Sequence, residues 1–317
     1  MSTSKNTLPQ MNGGLFLTDG GIETTLIYQD GFDLPYFAAF HLFRDEKGLR
    51  ALRRYFARHA SIARKNGMGF VLESATWRAS RDWAEKLGYS AAQLEEVNRR
   101  AIRLLREIKA EYETPNSRMV ISGCVGPRGD GYDPGKIMSP EEAQAYHSQQ
   151  VRIFADEGVD MISAITMTNP HEAIGVTHAA QAAELPVVIS FTVETDGSLP
   201  TGDSLGKAIN LVDRATGNGP AYYMINCAHP THYESRLMSG EPWVERIGGM
   251  RANASRLSHA ELDKATELDD GNPAEFGRQF ADIRSRLPGM NVLGGCCGTD
   301  HRHIEQIALS CVEAKAA

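Results

Sequence analysis

Long apolar runs are missing from this chain of 317 residues. No stretch approaches the roughly 18 consecutive apolar residues that a membrane-spanning helix needs, so no membrane partner is expected. An excess of basic charge is missing too. The net charge is −7 and the isoelectric point near 5.8, which argues against a nucleic-acid partner or an anionic membrane surface. Cysteine is scarce, at five residues, so a disulfide scaffold is excluded. Residues 1–13 are polar and lack the apolar core of a signal peptide. A reducing, cytoplasmic location is therefore expected, with thiols free or metal-bound. Internal repeats and low-complexity segments are absent. No Gly-x-Gly-x-x-Gly follows the first strand, which disfavours a dinucleotide-binding open sheet. The loop Gly126-Pro127-Arg128-Gly129-Asp130-Gly131 lacks the Lys-Ser/Thr pair of a phosphate-binding loop.

What remains is an ordinary globular balance, 42% apolar and 23% charged, enough for a sizeable core. Short β-like runs at 15–18, 69–73, 119–122, 161–165, 186–191, 222–226, 246–251 and 292–293 alternate with helical patterns. The helices are expected near 48–65, 90–111, 171–185, 203–216, 273–287 and 301–314, with a short one beyond Pro230. Ser139 and Glu142 form a capping box that starts another. Eight strand–helix units in succession predict an α/β fold, a single (β/α)8 TIM barrel of parallel strands over 14–317. Residues 1–13 would be a flexible N-terminal tail.

Chemistry on such a barrel sits at the C-terminal ends of its strands. Those ends carry Asp19, Glu73, Cys124, Thr166, Glu194, Cys227, Asn253, Cys296 and Cys297. The densest stretch is Gly294-Gly295-Cys296-Cys297-Gly298-Thr299-Asp300, read as strand, glycine-rich turn and helix, with Asp300 as the N-cap. The glycines would supply the backbone freedom that lets both sulfurs face one point, and the helix start would favour thiolate. A vicinal disulfide or two buried neighbouring thiols is the plain alternative. Cys227 ends the sixth strand and Cys296-Cys297 the eighth, so three sulfurs can converge across the seventh. Three thiolates call for a cation, and Zn2+ with an open fourth position fits them. Cys124 and Cys311 read as packing residues.

Asn226-Cys227, the Gly294-Gly295-Cys296-Cys297-Gly298 turn and Asp19-Gly20-Gly21 together resemble the homocysteine S-methyltransferase family, from about Leu15 to the end of the last helix. That family has betaine-, S-methylmethionine- and cobalamin-dependent members. The resemblance implies a zinc barrel with Cys227, Cys296 and Cys297 as ligands. A thiol, homocysteine first, would occupy the open position and take a methyl group, giving methionine as in methionine biosynthesis. Asp19 and the amides of Gly20 and Gly21 would hold the amino-acid end of the acceptor. Asn253 would orient or transiently ligate the metal. S-methylmethionine or S-adenosylmethionine is the expected donor, because no folate or cobalamin domain follows the barrel.

The sequence departs from the family on the substrate side. Ile165-Thr166 stands where Glu-Thr usually grips the acceptor ammonium, so Glu73 becomes the candidate surrogate carboxylate. Trp77-Arg78 replaces the common Tyr-Gln, and Arg251-Ala252-Asn253-Ala254-Ser255 has lost a proline and a glycine. Two alternatives follow: the same chemistry on another thiol, or a non-catalytic zinc or thiol-binding barrel. A homo-oligomer stays open. His229, His232, His301, His303, the pair Glu194 and Asp196, and Trp77, Trp83 and Trp243 rank lower, as solvated, turn-forming or packing residues.

Overall fold

The computed structural model describes residues 8–316. Eight parallel strands close in sequence order into one barrel: β1 (Phe16–Leu17), β2 (Gly69–Glu73), β3 (Met119–Val125), β4 (Met161–Met167), β5 (Val187–Thr192), β6 (Tyr222–Asn226), β7 (Ile247–Ala252) and β8 (Val292–Gly295). β1 closes the ring by pairing with β8, Phe16 opposite Val292 and Leu17 opposite Leu293. The (β/α)8 expectation holds. The principal outer helices are α1 (Glu46–Lys65), α2 (Ala91–Tyr112), α3 (Pro140–Asp156), α4 (Pro170–Ala182), α5 (Leu205–Thr216), α6 (Pro230–Leu237), α7 (Pro273–Arg286) and α8 (His301–Ala316). Their starts obey local chemistry. Asp45 caps α1 by accepting from the Gly48 amide at 2.8 Å, and the Ser139–Glu142 capping box opens α3. No helix among the described residues is long and apolar enough to cross a membrane.

Side chains alternate along each strand, and the two faces bury different chemistry. Leu17, Phe70, Ile121, Ile189 and Leu293 point outward into the helix layer. Phe16, Val71, Val120, Met161, Val188 and Val292 fill the lower barrel interior. Two residues further up, the same inward faces turn polar, with Glu73, Ser122, Ser163, Ser190, Asn226 and Arg251, all buried. Ser122 and Ser163 hydroxyls meet at 2.7 Å, and Ser190 donates to Asn226 Oδ1 at 2.6 Å. The barrel is thus apolar at its floor and hydrogen-bonded below its mouth.

Part of the expected tail is built into that floor. Residues 1–7 lie outside the described residues, but Pro9–Asn12 forms a 3-10 turn with Leu8 and Gln10 buried. Gln10 Nε2 lies 3.2 Å from Met161 Sδ and 3.3 Å from the Tyr222 hydroxyl, because the open lower end exposes apolar surface that a plug can cover. Among the described residues the packing onto the barrel therefore includes Leu8 and Gln10, ahead of residue 14.

Candidate active site

The upper ends of the strands surround a cavity of about 660 Å³. Cys227, Cys296 and Cys297 lie on its wall, with their sulfurs within 4.8 Å of one another. β7 brings them together from both sides. Its end accepts the Cys227 amide on the Arg251 carbonyl at 3.1 Å and the Cys296 amide on the Ala252 carbonyl at 2.8 Å. Just beyond, Asn253 donates to the Ala228 carbonyl and Ala254 to the Cys297 carbonyl, both at 3.0 Å. The prediction that three thiols converge across the seventh strand is met in this arrangement.

Backbone strain aims the sulfur of Cys227. Its φ is +54°, and Thr166, across the barrel, has φ +66°. Left-handed backbone costs a non-glycine residue of order 1–3 kcal/mol and persists where neighbours enforce it. The Arg251 carbonyl holds the Cys227 amide, and Asn226 holds Thr166. Asn226 Oδ1 accepts the Thr166 amide at 3.0 Å, and its Nδ2 donates to Thr166 Oγ1 at 2.8 Å.

The glycines of the double-cysteine turn act differently from the sequence expectation. Gly298 alone among them is left-handed, with φ +78°. Gly294 and Gly295 are required by closeness, since a Cβ on either would strike the Thr18 or Thr299 hydroxyl. Gly21 packs the same way, 2.6 Å from an added Cβ to the Cys296 carbonyl. The Asp-Gly-Gly loop and the Gly-Gly-Cys-Cys turn are thus interlocked halves of one wall.

That interlock corrects the roles given to Gly20 and Gly21. The Gly21 amide donates to the Thr299 carbonyl and hydroxyl, each at 3.0 Å, and the Gly20 amide to His59 Nε2 at 3.4 Å. Both amides are spent inside the protein. Asp19 is likewise engaged: Oδ1 accepts from Arg251 Nη2 at 2.7 Å and Oδ2 from the Tyr55 hydroxyl at 2.8 Å. Asp19 holds Arg251 in place.

Glu73 is different. It is buried in the cavity wall, and among the described residues its Oε2 has no hydrogen-bond partner. Burial pushes its carboxyl above the usual range, while Arg251 and the Ser163 and Ser122 hydroxyls pull the other way. Asn253 Oδ1 is also buried and unpartnered, beside the cysteine loops but off the cavity wall. Ile165 is buried on the wall, with no polar atom to offer.

The structure joins Cys227 to Cys296 as a disulfide, with Cα atoms 5.4 Å apart, and leaves Cys297 free. The expectation of free or metal-bound thiols is corrected for that pair: β6 and β8 deliver the two sulfurs to one point, close enough to bond. The third sulfur lies 3.9 Å from Cys227 Sγ. A tetrahedral zinc with bonds of about 2.3 Å sets sulfurs about 3.8 Å apart, so the reduced set fits one such ion.

Two residues that sequence reasoning missed complete the site. The Tyr132 hydroxyl lies 3.6 Å from Cys227 Sγ and 3.5 Å from Cys297 Sγ. Burial, then the neighbouring Cys297, holds its pKa well above the usual value, so it remains a donor. His259 stacks on Tyr132 with centroids 4.1 Å apart, and its Nε2 lies 2.5 Å from the Cys227 carbonyl. Neither lies at a strand end, so only the loop assembly reveals them. Glu194 reaches His259 Nδ1 at 3.5 Å. Trp77 lines the cavity and donates to the Ile165 carbonyl at 3.1 Å. His229 caps α6, and burial lowers its pKa to about 4. His232 bonds the Arg256 carbonyl at 3.0 Å.

The sequence model of one family, homocysteine S-methyltransferase, matches residues 16–311. Homocysteine S-methyltransferase 4 of Zea mays is 22% identical, the match covering 77% of this chain and 76% of the relative. Selenocysteine Se-methyltransferase of Brassica oleracea var. italica is 23% identical, covering 96% and 91%. The metallated form of the homocysteine methyltransferase MmuM from Escherichia coli shares the fold, with a TM-score of 0.72, 19% identity and coverage of 93% and 96%.

Proposed function

The chain belongs to the homocysteine S-methyltransferase family, and from that premise we propose that it is a zinc-dependent S-methyltransferase moving a methyl group from a small sulfonium donor to homocysteine. The observation that carries this reading is the convergence of three sulfurs within 4.8 Å on the wall of a cavity roomy enough for two small substrates. A metallated form exists for the E. coli relative. Two-electron reduction of the Cys227–Cys296 bond by a thiol reductant returns three thiols. A zinc ion held by Cys227, Cys296 and Cys297 would supply the Lewis acidity that keeps an acceptor thiol ionised near neutral pH.

The acceptor sulfur forms a bond to the methyl carbon as the carbon–sulfonium bond breaks in line. The bonding pair leaves with the donor sulfur, which becomes a neutral thioether, and the acceptor becomes a thioether too. The residues of this chain set the geometry. Tyr132 donates toward the ligand sulfurs, and His259 pins the loop after β7 to the Cys227 carbonyl. Glu73 Oε2, buried and unpartnered, receives the acceptor ammonium in place of the carboxylate missing at Ile165. Leaving that carboxylate unpaired is costly, and a substrate cation removes the cost.

Incubating reduced, zinc-loaded protein with S-methylmethionine and homocysteine should yield methionine, and Cys296→Ala should abolish it. Glu73→Gln should raise the homocysteine KM at least tenfold while kcat moves less. Failure of the wild type with homocysteine from both S-methylmethionine and S-adenosylmethionine contradicts the assignment. The buried apolar Ile165 favours one second reading, a thiol acceptor without an ammonium group. On that reading Glu73→Gln leaves the acceptor KM unchanged.

A further inference from the structure

Glu73 is not the only carboxylate on the cavity wall without an ion-pair partner. Glu23, half-buried, lies in the turn Ile22–Thr24 that follows Asp19-Gly20-Gly21. Among the described residues its carboxylate makes no ion pair and no hydrogen bond to another side chain; its own backbone amide bonds it, and Asp19, Arg251 and Arg78 act on it only from beyond contact distance. The two arginines on the wall are committed elsewhere. Arg251 binds Asp19 at 2.7 Å and the Gly295 carbonyl at 3.2 Å. Arg78 is sandwiched between Trp77 and Trp83, 4.0 and 3.8 Å from their centroids, and donates to the Gly129 carbonyl at 2.7 Å.

Exposed aromatic rings line the same cavity. Tyr28, five residues after Glu23, is 56% exposed, and Phe37 is 58% exposed, so neither serves the core. Both line the mouth. Phe37 and its neighbour Tyr36 have φ of +55° and +56°, a conformation bulky residues avoid. Phe37, exposed on the cavity wall in a strained conformation, is a feature that ligand clamps show. Further out the wall stays acidic, with Asp130, Asp263 and Glu267. An unpaired carboxylate and exposed aromatic rings lining one cavity match a diffuse cation carrying methyl groups better than a compact ammonium, because ring faces attract such cations and tolerate their apolar surface.

We infer that Glu23, with Tyr28 and Phe37, forms the subsite that recognises the positive charge of the methyl donor. The inference rests on the proposed methyl transfer for the word donor, with Glu73 serving the acceptor deeper in the barrel. The site itself is defined by its preference for a sulfonium over the corresponding neutral thioether.

Titration calorimetry of the zinc-loaded protein, with no acceptor present, tests it through two probes, S-methylmethionine and methionine. They share ammonium and carboxylate and differ in the charge and the extra methyl at sulfur. The wild type should bind S-methylmethionine at least tenfold more tightly than methionine. Glu23→Gln should reduce that preference to less than threefold without lowering the thermal midpoint. Phe37→Leu, at an exposed position, should reduce it in part. Homocysteine binding should change less than twofold in either variant. Equal binding of the two probes by the wild type, or a preference untouched in both variants, overturns the inference whether or not methyl transfer occurs. Glu23-dependent discrimination in a protein that yields no methionine upholds the subsite and removes the proposed reaction instead.

Discussion

Tyr132 shows what a single residue adds to a cluster of sulfurs. Its hydroxyl stands 3.5–3.6 Å from two of the three sulfurs and stays protonated. Partners that hydrogen-bond to metal ligands are typically worth about 10–100-fold in metal affinity. Tyr132→Phe should therefore weaken zinc by about tenfold in competition with a chelator, with the fold intact by circular dichroism; unchanged affinity would reduce Tyr132 to a packing residue. Glu23 and Glu73 carry a second prediction. Burial, and after it Asp19, raises both carboxyls, Glu23 to about 7, while its own backbone hydrogen bond, Arg251 and Arg78 pull Glu23 down. A carboxyl raised in the folded state contributes stability below the ordinary carboxylate range and loses it as pH rises through its folded value. The substrate-free thermal midpoint should thus fall from pH 5 to pH 8 more steeply in the wild type than in Glu23→Gln. Parallel curves would show that Glu23 ionises as freely folded as unfolded.

At the scale of elements, the loops after β1 and β8 determine whether the wall exists. Gly294 has no room for a Cβ against Thr18, and Gly21 none against the Cys296 carbonyl. Gly294→Ala should destabilise the protein by about 1–3 kcal/mol, the range for overpacking, and should weaken zinc as well. Urea melts and zinc titration check the pair of effects; a stability loss with native zinc affinity would separate the interlock from the metal site. Asp300 fixes the same wall to α8. Its Oδ1 accepts the Arg302 amide at 2.8 Å, and Oδ2 accepts from Gln29 at 2.6 Å. Burial alone would raise its carboxyl, but hydrogen bonds from His303, Arg302 and Gln29 hold it well below the usual range. The glycine spacing was readable in sequence, as was the Asp300 cap. The reason for Gly294 was not, because its close approach to Thr18 joins two distant segments of the chain, and the fold of the turn that brings Thr299 back onto Gly295 is set by that same packing.

For the whole molecule, the barrel was legible because eight strand–helix units each repeat a local period, and parallel closure follows from their order. The three cysteines were legible because strand ends share one rim. Tyr132, His259 and Glu23 were not, since each reaches the cavity from a loop or turn whose path only the assembled fold defines. Gly20 and Gly21 were misassigned for a related reason: their amides face inward partners contributed by Thr299 and His59. The lower end was misjudged too, as residues from Leu8 on plug the barrel instead of trailing from it. On the proposed function, these distant segments build one metal-thiolate centre with a position reserved for the acceptor sulfur. Zinc-edge X-ray absorption on the reduced, zinc-loaded protein, before and after adding homocysteine, reads that position out. Three sulfurs at about 2.3 Å and one lighter ligand are expected, becoming four sulfurs when the thiol is added. Four protein ligands at the outset, or a sulfur count unchanged by homocysteine, would contradict the proposed function.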